Sequence, residues 1–207
     1  GVSHFCCKTK VKYRKTSAGR RITDYTGKEG IAVKIAMIGS GGWGTAMVTS
    51  LAARHDDLEL YCRREAAARD LKETRENKEY LPGVRIPVHV KITSDLEKAV
   101  SGADCVVLST PSKAVETTAE AMAPFMKKNA VAVCASKGLA DEAGHRLSEI
   151  ISEKFSSVTD RIVVLSGPNH AEEVGLGLPA ATVAASEVPE AVQLVLDVFM
   201  RPVFRVY

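Results

Sequence analysis

No run of apolar residues in the 207-residue sequence is long enough to cross a bilayer as a helix. The first thirty residues also lack the apolar centre of a secretory signal. The five cysteines, Cys6, Cys7, Cys62, Cys105 and Cys134, include no CxxC spacing. Their odd number and that missing spacing argue against a disulfide framework and against a zinc site, so no metal is expected. Cys62, Cys105 and Cys134 lie in or at the ends of apolar runs and read as buried free thiols in a reducing cytoplasm. A formal net charge of +3 is too small to argue for a nucleic-acid partner. No internal repeat or low-complexity segment is visible.

What remains is the composition of an ordinary soluble globular protein, 45% apolar and 26% charged. The positive charge is unevenly placed. Lys8, Lys10, Lys12, Arg14, Lys15, Arg20, Arg21 and Lys28 crowd the start, opposed there only by Asp24 and Glu29. Residues 1–30 therefore read as a basic, disordered head, with a weak nucleic-acid or membrane-surface arm as the sharper alternative. Residues 31–207 read as one domain.

Within that domain strand-like runs and helical stretches alternate. The expected strands are Val33–Ile38, Leu58–Cys62, Cys105–Ser109, Ala130–Ala135 and Ile162–Ser166. The expected helices are Thr45–Arg54, Ser94–Val100, Lys113–Met126 and Gly144–Phe155, the second opened by a capping box of Ser94 and Glu97. Ala180–Ala184, Pro189–Met200 and Val203–Tyr207 add a strand, a helix and a further strand. The runs around Val107 and Val164 are almost unbroken in apolar residues, as strands covered on both faces require. This order implies an α/β fold, a Rossmann-type doubly wound and mostly parallel sheet with helices on both faces.

The stretch KIAMIGSGGWGTAM contains Gly39, Gly41 and Gly44 in a G-x-G-x-x-G spacing, after a strand and at the start of a helix. That context turns a weak motif into a dinucleotide fingerprint. Gly39 permits the tight turn, Gly41 lets backbone approach a pyrophosphate, and Gly44 lets helix and strand pack closely. About twenty residues on, the second strand ends in Tyr61-Cys62-Arg63-Arg64-Glu65. Two arginines there suit the 2′-phosphate of NADP better than the bare ribose of NAD, with use of both left open. Three more loops follow strands at the same sheet edge: Thr110-Pro111-Ser112, Ser136-Lys137-Gly138 and Ser166-Gly167-Pro168-Asn169-His170. Together they describe a substrate pocket, with Lys137 placed to bind a phosphate or polarise a carbonyl. His170 reads as a surface or packing residue.

GSGGWGTAM, ENKEYLPGV, SKG, LSGPNHAEEV and the final FRVY together resemble the N-terminal domain of bacterial NAD(P)-dependent glycerol-3-phosphate dehydrogenases, from about Lys34 to Tyr207. The resemblance implies reversible hydride transfer between NAD(P)H and dihydroxyacetone phosphate, giving sn-glycerol 3-phosphate for phospholipid synthesis. It implies that Gly42, Trp43, Tyr80, Pro111, Lys137 and Ala171 contact the cofactor, with Arg63 and Arg64 at its adenosine end. It implies that Lys137, Gly167 and Asn169 bind substrate and that Lys137 is catalytic. The family usually carries serine at the Gly42 position, serine or threonine at Asn169, and valine at Thr110. The family's second lysine belongs to a helical C-terminal domain beyond FRVY, which also carries much of a homodimer contact. The chain alone is therefore expected to be inactive. Competing readings are an NAD(P)-binding module without turnover and a β-hydroxyacid or ketopantoate-type reductase.

Overall fold

The computed structural model describes residues 33–207, apart from residue 143, and the backbone of three short strands before them. Those strands are β1 (Arg14–Thr16), β2 (Gly19–Thr23) and β3 (Glu29–Ile31). They pair antiparallel in the order β1-β2-β3, in a unit of their own that ends at Ala32. Apart from Ile31, they fall in residues 1–30, the stretch expected to be a disordered head. Cys6, Cys7, Lys8, Lys10 and Lys12 lie outside the described residues.

The second unit runs from Val33 to Tyr207. Its first half holds β4 (Ile35–Ile38), α1 (Gly42–Leu51), β5 (Leu58–Tyr61), α2 (Glu65–Thr74), the hairpin strands β6 (Glu76–Asn77) and β7 (Leu81–Arg85), β8 (Lys91–Thr93), α3 (Leu96–Val100) and β9 (Cys105–Leu108). Its second half holds α4 (Ser112–Met122), β10 (Val131–Cys134), α5 (Leu147–Phe155), β11 (Ile162–Ser166), α6 (Ala171–Gly175), β12 (Ala180–Ala185), α7 (Pro189–Phe199) and β13 (Phe204–Val206). Eight strands form one sheet in the order β13-β12-β11-β10-β9-β4-β5-β8. Every neighbouring pair in it is parallel except β11 and β12. The doubly wound, mostly parallel expectation is met.

Strand alternation builds two cores. On β4, Ile35 and Met37 face one way and pack with Met47, Val48 and Leu51 of α1 and with Val195, Val198 and Phe199 of α7. Ala36 and Ile38 face the other way and pack with Val115, Ala119 and Met122 of α4 and with Leu147, Ile151 and Phe155 of α5. All four residues of β4, of β9 and of β10 are buried, because helices cover both faces. Each large side chain buried this way contributes roughly 1.5–3 kcal/mol. Cys62, Cys105 and Cys134 are buried and unbridged.

Local chemistry moves several expected boundaries. The α3 cap is Asp95 rather than Ser94: its Oδ1 accepts from the Lys98 amide at 3.0 Å. The helix therefore begins one residue later, and Lys98 rather than Glu97 takes the third position. α5 starts at Leu147 rather than Gly144, because Gly144 has φ +88 and the Arg146 amide donates to Glu149 Oε2 at 2.8 Å. α4 tightens into a 3-10 turn at Ala123–Phe125, where Pro124 cannot supply an amide. α2, the β6–β7 hairpin and β8 were not anticipated. The hairpin opens at Arg75, whose φ of 54 ends α2 in the left-handed region.

Candidate functional site

The chain leaves β4 for β5 on one side, then crosses to β9 on the other. The carboxyl ends of β4 and β9 therefore flank the point where strand order reverses, the usual ligand crevice of such sheets. A cavity of about 710 Å³ lies there, a size suited to a cofactor. Gly39, Gly41, Gly42, Trp43, Arg63, Arg64, Tyr80, Pro111 and Lys137 all line it. Of the proposed cofactor contacts, Gly44 and Ala171 do not.

The glycines divide by what a side chain would meet. At Gly44 an added Cβ would stand 2.1 Å from the Gly39 carbonyl oxygen and 2.5 Å from Ser109 Oγ, so this glycine lets α1 seat against β4 and β9. Gly39 turns at φ +115, which favours glycine. At Gly42 a Cβ would lie 2.7 Å from the Tyr80 carbonyl oxygen, which leaves no room for the serine usual in the family unless the hairpin shifts. Gly41 differs: nothing lies within 4 Å of its added Cβ. It precedes α1 with φ −71 and ψ −179, and no side chain caps that helix end. The first amides of α1 are thus available to an anion, and the helix dipole favours one.

A buried amide holds this loop from behind. Asn77 Nδ2 donates to the Ser40 carbonyl and to Thr45 Oγ1, each at 2.8 Å, and its Oδ1 accepts from the Tyr80 amide at 3.3 Å. Ser109 Oγ bridges to the carbonyls of Ile38 and Gly39, 3.1 Å from each. Arg63 and Arg64, which line the same cavity, are both exposed. Arg64 Nη2 donates to Glu79 Oε2 at 3.0 Å. The Tyr80 hydroxyl and then Arg64 hold the Glu79 carboxyl below its usual range, and Glu79 in turn pushes the Tyr80 hydroxyl up.

Near the third and fourth loops, Trp43 Nε1 donates to the Ala135 carbonyl at 3.1 Å, which fixes the indole. Lys137 Nζ lies 5.6 Å from the centre of that ring and donates to the Asn169 carbonyl at 2.8 Å. Asn169 is buried, and its side-chain Nδ2 donates to the Ala181 carbonyl at 2.8 Å. The side chain is therefore spent on β12, and what faces Lys137 is the main-chain oxygen. Gly167 is pressed against Ala181 and Thr182, and it lines a second cleft of about 390 Å³ with Lys137 and Gly138. Ala171 opens α6 beside the start of α1, its Cβ 3.6 Å from the position of a Gly42 Cβ. His170 is exposed.

This constellation has relatives. Residues 34–192 match the family model described as the N-terminus of NAD-dependent glycerol-3-phosphate dehydrogenase. The chain belongs to that family. It is 49% identical over 173 residues to a glycerol-3-phosphate dehydrogenase (NAD(P)+) of Moorella thermoacetica, covering 84% of this chain and 51% of the relative. A Deinococcus radiodurans enzyme of the same name is 47% identical, with 84% and 50% covered. Among solved structures, a glycerol-3-phosphate dehydrogenase from Coxiella burnetii superposes with a TM-score of 0.78 at 27% identity, over 84% of this chain and 53% of that one. The chain spans about half the length of the relatives it matches.

The family match takes in the glycine loop, the hairpin and the lysine loop alike. Sequence reasoning missed two of the site's supports, Asn77 and Ser109, and the acid Glu79. Asn77 and Glu79 lie in ENKEYLPGV, which was noted as a whole. A lone asparagine or glutamate in a polar stretch carries no period, so nothing local marked either one. Among the described residues no cluster of three His, Cys, Asp or Glu could hold a metal, and no helix is long and apolar enough to cross a membrane.

Proposed function

We propose that the chain is the cofactor-binding part of an NAD(P)-dependent glycerol-3-phosphate dehydrogenase. The observation that carries this is the open face of Gly41 on a 710 Å³ cavity that also takes in the uncapped start of α1 and two arginines. The residues fit the group: a Cβ at Gly41 would fill the space a pyrophosphate needs. When bound, the nicotinamide cofactor supplies the hydride that reduces the ketone of dihydroxyacetone phosphate to sn-glycerol 3-phosphate.

The chain's own groups do the rest. The amides at the start of α1 receive the pyrophosphate. Arg63 and Arg64 attract the adenosine end, and favour NADP because a guanidinium pairs well with phosphate. Lys137 commits one of its three donors to Asn169 and keeps the others for substrate. Held there, its ammonium stabilises charge growing on the ketone oxygen or binds the substrate phosphate. The product serves glycerophospholipid synthesis in the cytoplasm.

A calorimetric titration of the chain with NADPH and with NADH tests the cofactor half of this reading. Saturable binding, tighter for NADPH, is expected; binding of neither by the folded chain refutes it. Oxidation of NADPH that depends on dihydroxyacetone phosphate, followed at 340 nm in the enzyme that contains this sequence, tests the substrate half.

A further inference from the structure

Arg63 and Arg64 are neighbours in sequence but not in circumstance. Both line the large cavity. Arg64 also walls an adjoining cleft of about 250 Å³, together with Ser40, Asn77, Lys78, Glu79 and Tyr80. It stands immediately before α2, while Glu79 stands on the turn between β6 and β7. Their 3.0 Å ion pair therefore ties two separate elements together at the cavity edge. Among the described residues Arg63 has no carboxylate partner.

We infer that Glu79 sets the cofactor preference of the site by holding Arg64 away from the position of a 2′-phosphate. The inference rests on the dinucleotide reading above. A 2′-phosphate adds up to two negative charges at the adenosine end. To use both arginines it must take Arg64 from a carboxylate that already holds it, and it must do so beside that carboxylate's own charge. NADH makes no such demand, because a ribose hydroxyl is neutral. Glu79 thus subtracts from NADPH affinity and leaves NADH affinity nearly alone, which brings the two cofactors closer together than two arginines alone would. Both side chains are about 60% exposed, so water screens the pair and the effect is modest. Glu79 is a specificity residue that acts through Arg64.

Glu79→Gln in the full chain keeps the side-chain shape and removes the charge. Calorimetry at low ionic strength should show the NADPH-to-NADH affinity ratio rising roughly 3- to 5-fold, with NADH within twofold of the parent. In an Arg64→Ala background the same change should raise the ratio less than twofold, because no guanidinium is left to release. A ratio within twofold of the parent in the single variant overturns the inference and leaves the dinucleotide reading standing. So does an equal loss of both cofactors with a lowered melting temperature, which would make Glu79 a tie of the hairpin. A gain that persists in full without Arg64 overturns the coupling. A folded parent that binds neither cofactor overturns the dinucleotide reading, and this inference with it.

Discussion

Replacing Gly41 by valine separates the two uses of glycine in one motif. The surroundings of Gly41 are open, with nothing within 4 Å of an added Cβ. Its φ of −71 and ψ of −179 lie in the extended region that a β-branched residue accepts. The cost is that of a poorer residue before a helix, about 1 kcal/mol. That is a small part of the roughly 5–15 kcal/mol that holds a domain together. In a chain of this size it lowers the melting temperature by about 2–4 °C. Binding should suffer far more, because the valine methyls occupy the space the pyrophosphate needs. Losing two hydrogen bonds to a charged group, at about 1.5–3 kcal/mol each, weakens binding roughly 10²- to 10⁴-fold. Gly44→Ala inverts the pattern. A Cβ 2.1 Å from the Gly39 oxygen forces α1 away from the sheet, at about 3 kcal/mol or a fall of roughly 6–12 °C. Thermal melts and NADPH titrations of both variants decide the matter. Gly41→Val that still binds within threefold of the parent would show that the loop is only a turn.

Three further outcomes are expected. Arg63→Ala should weaken NADPH at least tenfold more than NADH in the same titration; equal losses would remove the 2′-phosphate assignment. His55 is buried, its Nε2 donates to the Val198 carbonyl at 3.0 Å, and its Nδ1 has no partner among the described residues. Burial chiefly pushes its pKa below the ordinary 6.5; Arg54 and Arg201 add to this, against the Val198 carbonyl and Asp56. Well above pH 6.5 the group is neutral whether folded or unfolded. As pH falls through 6.5 the unfolded chain takes up the proton first, so stability drops toward the lowered folded value. Melting temperatures at pH 7.5 and 5.0 should show that drop, and His55→Gln should flatten it. The thiols of Cys105 and Cys134 are pushed up by burial to about 12 and about 11. With Cys6 and Cys7 replaced by serine, Ellman's reagent should label none of Cys62, Cys105 and Cys134 until denaturant is added; rapid labelling of the native chain would contradict their burial.

Strand, glycine turn and helix were legible in order because each leaves a local mark. β4 and β9 are apolar runs, and the G-x-G-x-x-G spacing stands between strand and helix, where a tight turn at Gly39 and close packing at Gly44 leave no place for a side chain. Arg63 and Arg64 were legible because they follow a strand at a countable distance. α2 and the hairpin were not. α2 is polar on most of its surface and buries only Ala68 and Leu71. The hairpin strands are short, and Gly83, inside β7, sits at φ +80. The α3 cap moved by one residue because Ser94 and Asp95 are both capping residues, and only backbone geometry chooses between them.

By itself the sequence determined the doubly wound order and the place of the glycine loop, since both follow from periodicity and from the spacing of three glycines between a strand and a helix. Tertiary structure decided which glycine is open and which is closed, because that depends on atoms of Ser109, just past β9, and of Tyr80, on the β6–β7 turn. It turned the Asn169 side chain into β12 and left its carbonyl to Lys137. It also set Glu79 against Arg64, fifteen residues away, across the gap between a helix start and a hairpin turn. Such pairings are made by distance in space, and no period or motif along the chain records them.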